Sequence, residues 1–174
     1  KAVELEEVFV DLPLRLTPLI AEIAAATPAA PPRTQIGAIP VAAQEAFNRD
    51  VEKRMGFDFD AGRLDISTHP FCEGIGPGDT RLTTRYREDD FTDALSSTMH
   101  EAGHGLYEQG LPKDAHFGEP LAEATSLGIH ESQSRLWENL VGRSRAFWRW
   151  VQPRAAAAFR VGIRALAGSS YRPD

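Results

Sequence analysis

The chain has 174 residues, 42% of them hydrophobic and 25% charged, which is enough for one domain with a core and unlike disordered, collagenous or coiled-coil chains. Its net charge of −6 lacks the basic footprint of a general nucleic-acid binder, and no apolar run approaches the ~18–20 residues of a bilayer span. A single cysteine, Cys72, excludes an internal disulfide framework and a cysteine-based zinc cluster. Asp11, Pro13, Arg15 and Pro18 interrupt the N-terminal stretch and argue against a secretory signal. These features predict a soluble, intracellular protein with neither nucleic acid nor membrane as partner.

In chain order, Leu5, Val8, Phe9, Leu12, Leu16, Leu19, Ile20 and Ile23 recur at threes and fours and predict a helix over 3–26, kinked or divided at Pro13 and Pro18. Thr27 to Pro40 is proline-rich and reads as a loop. A second helix is expected from about Val41 to Met55, closed by Gly56. Asp58 to Gly78, rich in Gly, Asp and Pro, reads as an ordered loop holding at most short extended pieces. Arg81 to Tyr86 alternates and is the best strand candidate. Helix returns from about Asp90 to Gln109, and again from a start at Glu119-Pro120 to about Leu140. A last helical stretch, Arg143 to Leu166, should break near Pro153. The fold class is therefore mainly α with one small β-sheet.

Charge is unevenly placed. From Glu88 to Pro112 there are six carboxylates and no Lys or Arg, whereas Arg143 to Asp174 holds seven Arg and one acid. The basic tail reads as a solvated helix face, or as a surface packing on acidic protein outside this chain. The aromatics Phe147, Trp148 and Trp150 within it are spaced like core residues rather than stacking platforms for RNA.

The string that carries chemistry is His100-Glu101-Ala102-Gly103-His104. In a helix, residues four apart lie ~40° apart around the axis and ~6 Å along it, so both imidazoles leave from one face and can be two ligands of a tetrahedral Zn²⁺. Glu101 lies ~100° round from His100, where its carboxylate can reach a water on the metal and act as general base. A third protein ligand is required. Glu108, His116, Glu119, Glu123, His130 and Glu131 are the candidates downstream. Glu108 points along the same helix, His116 would make an all-histidine site, and Glu123 and Glu131 lie 19 and 27 residues beyond His104. Spacing alone favours Glu123.

Gly76-Pro77-Gly78-Asp79-Thr80-Arg81-Leu82-Thr83-Thr84-Arg85-Tyr86, His100 to Glu108, Ser126-Leu127-Gly128-Ile129-His130-Glu131-Ser132-Gln133-Ser134-Arg135 and His69-Pro70-Phe71 occur in the order, and in the form, of motifs of the M32 metallocarboxypeptidases, the Taq carboxypeptidase type. The chain resembles that family over most of its length, most strongly from Gly62 to Arg145. The resemblance implies a helical zincin-type HExxH fold, of which 1–174 would be a single partial catalytic domain with its zinc-site core at about 62–145, the N- and C-terminal parts of the family fold lying outside it. It makes Glu131, in the family's His-Glu-Ser motif, the third ligand beside His100 and His104, and Glu123 an ordinary helix residue. The small residues Ala122, Ala124 and Gly128 would let that helix approach the His-bearing one. Thermolysin-like enzymes place an Asp four residues past the ligating Glu to orient a histidine; here that position is Arg135, so another carboxylate must do so.

The same resemblance implies that His69, Asp79, Arg81 and Thr83 shape the substrate side of the cleft. Arg81 would either bind the substrate's terminal carboxylate or be held by Asp79 as a structural pair, and His69 would line the cleft or be a hydrogen-bonded structural histidine. His130 is expected in packing or beside the ligands, and Cys72 as a small buried residue. The implied activity is removal of C-terminal amino acids from peptides, with Zn²⁺, or Co²⁺ or Mn²⁺ in its place, by a cytosolic homodimer. Another HExxH peptidase (endo- or aminopeptidase), or a metal-binding helical segment without catalysis, are the alternatives. Two later family motifs, Ile/Val-Arg-x-x-Ala-Asp and Gly-x-x-Gln-Asp-x-His-Trp, are absent; Gly162 to Ala167 only echoes the first. The chain by itself is therefore expected to bind zinc but to hydrolyse peptides poorly, with Phe147, Trp148 and Trp150 exposed and favouring association.

Overall fold

Most of the hydrophobic spacing becomes helix in the structure, a computed structural model that describes residues 2–26 and 37–160. Two compact units are present, Lys1–Arg33 and Thr34–Asp174. In the first, helix α1 (Ala2–Ala26) runs through both Pro13 and Pro18, so the prolines do not divide it. An exposed Arg15–Asp11 pair spans one of its turns. Most of the expected loop at Thr27–Pro40 lies outside the described residues, as do the end of the predicted last helix and the Gly162–Ala167 echo.

The second unit contains α2 (Val41–Met55), β1 (Gly62–Ile66), β2 (Phe71–Gly76), β3 (Asp79–Thr84), α3 (Phe91–Gly110), α4 (Lys113–His116), α5 (Leu127–Arg135) and α6 (Arg145–Phe159). Helix α2 ends where expected, at Gly56 in the left-handed region with φ 109°. The Gly- and Asp-rich stretch after it forms two strands of its own. The sheet order is β1-β3-β2, with β1 parallel and β2 antiparallel to the central β3. Leu64 and Leu82 from the sheet, Phe57 and Ala102 of α3 form one buried cluster. A larger one joins Phe47 and Val51 of α2, Phe91, Leu95 and Met99 of α3, and Phe147, Val151, Ala155 and Ala156 of α6.

Helix α3 is thus clamped on two sides by apolar packing, which fixes the rotation of its chemical face. Its start is set by Asp90, whose carboxylate accepts from the Thr92 and Asp93 amides. Two expectations fail at the next helices. Pro120 begins only a three-residue 3₁₀ turn, Pro120–Ala122, and α5 starts later, where the Ser126 hydroxyl accepts from the Ile129 amide at 3.1 Å. A side-chain cap there outweighs the proline signal upstream. Helix α6 does not break at Pro153. Pro153 sits on the exposed face, where the carbonyl robbed of its partner can turn to water. Phe147 is buried and Trp148 and Trp150 half-buried, correcting the expectation that they are exposed; their place is against the helical core.

Candidate metal centre

Helix α3 presents His100 and His104 on one face, one turn apart, with ring centroids 5.0 Å apart. Helix α5 crosses this face and brings Glu131 to it. Glu131 Oε2 lies 3.2 Å from His104 Nε2 and 3.7 Å from His100 Nε2. Among the described residues, His100, His104 and Glu131 form the one group of three or more His, Cys, Asp or Glu able to hold a metal ion, one donor atom from each lying within 4.8 Å of the others. Two neutral imidazole nitrogens and a carboxylate suit a divalent borderline ion and leave coordination positions free.

The close crossing depends on Gly103. A β-carbon there would lie 2.6 Å from Gln133 O and from the Ser134 Cα, so the helix backbones touch where any side chain would push α5, and Glu131 with it, away. This replaces the expected role of Ala122, Ala124 and Gly128; a β-carbon on Gly128 would meet only the Ser126 hydroxyl, at 3.8 Å. Beyond α5 the chain widens into a π-helical segment, Leu136–Val141, in which the Gly142 amide reaches back to Trp137 O at 2.8 Å. Such widened turns are common at functional sites.

That segment carries Glu138, which the sequence reading missed. The His100 Nδ1–H donates to Glu138 Oε2 at 2.8 Å, which leaves His100 Nε2 as a lone pair for metal. Glu138 lies seven residues past Glu131, ~20° off the same helical face, and that spacing was the available signal. Arg135 donates to both acids, to Glu131 Oε1 at 2.8 Å and to Glu138 Oε2 at 3.0 Å.

A second polar group flanks His104. His130 stacks on it, centroids 4.5 Å apart and planes 20° apart, and donates to Glu108 Oε1 at 2.7 Å. The other Glu108 oxygen accepts from the buried Lys113. Burial raises the Glu108 pKa, but Lys113 and His130 outweigh it and hold the carboxyl below its ordinary range. Glu131 behaves alike: burial raises it, and Arg135, His100 and Ser134 together bring it below. Burial depresses His104, helped by His130 and His100 and opposed by Glu131, which favours the neutral imidazole a metal needs. Glu101 lies on the buried side of α3, and burial pushes it up to about 7, lowered by His100 and raised by Glu131 and Glu138.

The family model described as carboxypeptidase Taq (M32) metallopeptidase matches residues 1–167. The chain belongs to the M32 family. It is 57% identical over 120 residues to thermostable carboxypeptidase 1 of Thermus thermophilus, covering 69% of this chain and 23% of that one. It is 39% identical over 144 residues to carboxypeptidase 1 of Bacillus subtilis, covering 83% and 28%. The crystal structure of the M32 carboxypeptidase of Deinococcus radiodurans superposes with a TM-score of 0.77 at 44% identity, over 95% of this chain and 34% of that one. The chain therefore spans about a quarter of the length of these curated relatives.

Within this M32 segment the other candidates fall elsewhere. Glu123 is exposed at the end of the 3₁₀ turn. His116 pairs with Glu119 at 2.9 Å. On β3, Arg81 and Asp79 form an exposed two-point ion pair, 2.9 and 2.8 Å. Thr83 is buried, and its hydroxyl accepts from the Phe71 amide at 3.0 Å and donates to His69 O at 3.3 Å. The His69 ring itself is exposed. Cys72, half-buried on β2, has its thiol pushed up by burial, with Glu101 and Glu108 adding to the effect. No described helix is long and apolar enough to cross a membrane.

Proposed function

We propose that the protein containing this segment is a zinc-dependent metallocarboxypeptidase that removes C-terminal amino acids from peptides. The observation that carries this reading is the His100, His104 and Glu131 donor set beside the buried Glu101; M32 membership supplies the reaction class. His100, His104 and Glu131 would hold Zn²⁺, with Co²⁺ or Mn²⁺ as substitutes. Bound there, the ion supplies Lewis acidity toward a carbonyl and toward water.

The chain's own residues supply the rest. Glu138 keeps the proton of His100 on Nδ1, so Nε2 stays a ligand. Glu101 accepts the proton of the attacking water and returns it to the leaving amine, which is what a general base and then acid does in amide hydrolysis. His69, Asp79, Arg81 and Thr83 belong to the substrate side, Arg81 holding a terminal carboxylate only where it exchanges Asp79 for it. The segment 1–174 would be part of a single catalytic domain, with its zinc-site core at about 62–145, in a cytoplasmic homodimer. On its own it would bind zinc and turn over poorly, because donors aimed at the developing oxyanion, worth ~2.7–4 kcal/mol each, are expected from the family motifs it lacks.

The test compares a free peptide with its C-terminally amidated counterpart, using the complete zinc-loaded protein. The free peptide should lose its last residue and the amide should resist. Glu101→Gln should keep its metal and lose ~10²–10⁴ of the rate. Equal cleavage of both peptides would favour an endo- or aminopeptidase, full turnover by Glu101→Gln would remove Glu101 from the role of base, and zinc binding with no turnover of either peptide by the wild-type protein would leave only a structural metal site.

A further inference from the structure

One guanidinium touches both carboxylates that organise the metal centre. Arg135 Nε donates to Glu131 Oε1 at 2.8 Å, while Glu131 Oε2 faces His104 and His100. Arg135 Nη1 donates at 3.0 Å to Glu138 Oε2, the same oxygen that accepts from His100 Nδ1 at 2.8 Å. Ser134 adds a hydroxyl bond to Glu131 Oε2 at 3.1 Å, and Arg143 approaches the other Glu138 oxygen at 3.5 Å.

An exposed Arg–Glu pair one helical turn apart contributes little in general. This one differs because Glu138 is only 15% exposed and because its accepting oxygen is shared with a ligand histidine. Two acids pointed at one site repel each other, and a forked cation between them lowers that cost while fixing which oxygen of each is spoken for. A planar fork can do this and a point ammonium cannot.

We propose that Arg135 is a positioning residue of the metal centre, directing one oxygen of Glu131 toward the ligand histidines and, through Glu138, fixing the tautomer of His100. The inference rests on the metal-centre reading above. It also accounts for the position at which this chain carries Arg where thermolysin-like enzymes carry an orienting Asp: the carboxylate has moved to Glu138, and the arginine ties it to the ligand.

The experiment uses the complete protein, stripped of metal and titrated with Zn²⁺ against a chromophoric chelator, with the visible spectrum of the Co²⁺ form as second readout. Arg135→Met should weaken zinc binding ~10–100-fold, the range for losing a partner behind a ligand, and should change the cobalt bands, which report ligand geometry. Arg135→Lys should regain only part of the affinity. Because Arg135 and Glu138 act through one path, Arg135→Met and Glu138→Gln combined should cost less than the sum of their separate costs. Circular dichroism of each metal-free variant checks folding; should Arg135→Met fail to fold, the lysine variant decides. Zinc affinity within twofold of wild type in a folded variant, unchanged cobalt bands, or strict additivity would overturn the proposal. His104→Ala leaving zinc binding intact would instead overturn the metal-centre reading, and this inference with it.

Discussion

Helix α3 meets α5 along one side and α2 along another, and carboxyl groups sit near both contacts with opposite consequences. Toward α5 the acids have partners: Glu131 has Arg135 and Ser134, Glu138 has His100 and Arg135, and Glu108 has His130 and Lys113. Toward α2, Asn48 donates to the Thr98 hydroxyl at 2.9 Å, but one turn on, Glu52 is wholly buried and neither of its oxygens has a hydrogen-bond partner. A partnered carboxylate is held in place and available as a ligand. The unpartnered and fully buried Glu52 instead resists ionisation. Burial alone therefore does not make a site; the cations and donors around the acid do.

The sharpest way to break this comparison is to remove an acid on the α5 side. Glu131→Ala should reduce zinc affinity by more than the ~10–100-fold typical of a partner behind the ligands, whereas Glu123→Ala, exposed and outside the donor set, should bind like wild type. Equal metal content in both would show that the α5 contact is not where the ion sits.

A smaller effect is expected from closing the contact itself. Gly→Ala inside a helix ordinarily stabilises by ~1 kcal/mol, but at Gly103 the new methyl would meet α5 backbone at 2.6 Å. Gly103→Ala should destabilise by ~1–3 kcal/mol, as overpacking does, and weaken zinc binding as Glu131 moves off. Gly110→Ala, where a β-carbon meets nothing within 4 Å, is the control and should be neutral or mildly stabilising. Thermal unfolding of both variants with and without Zn²⁺ measures this; a stabilised Gly103→Ala would mean that the helices are not in backbone contact.

These two sides were not equally legible in the sequence. The ligands on α3 are local: His100, Glu101 and His104 follow from helical period and donor chemistry, and the helix bounds, Phe91–Gly110, came within a residue or so. Glu131 was legible only through the motifs shared with M32, since spacing favoured Glu123, and a tertiary crossing rather than a period brings it in. Glu138 was hidden because the orienting acid was sought four residues past the ligand, not seven, and because it lies in a π segment that no propensity announces. Strands β1 and β2 escaped because Gly62, Gly74 and Gly76 blank the alternation that marks a strand. Gly103 carried no legible role, as its meaning is the absence of a side chain at the contact with α5.

The effect on the α2 side leaves the metal untouched and is visible only through pH. Burial raises Glu52 from 4.5 to about 8, with Arg49 lowering it only in part, and the Tyr86 hydroxyl, pushed up by burial and then by Glu52, keeps its own proton at neutral pH. In the unfolded chain Glu52 loses its proton near pH 4.5; in the folded protein it keeps the proton to about 8. Between those values the folded state binds the extra proton, so the stability associated with this site is full below about 4.5 and falls as pH rises toward 8. Glu52→Gln cannot titrate. Its unmatched amide shifts stability by an amount independent of pH, so the variant-minus-wild-type difference should grow in the variant's favour from pH 5 to pH 8, by on the order of a few kcal/mol, and then level off. Urea unfolding of both proteins at pH 5, 7 and 9 measures that difference. Parallel profiles would mean that Glu52 is ionised and partnered after all, and that the two sides of α3 treat their acids alike.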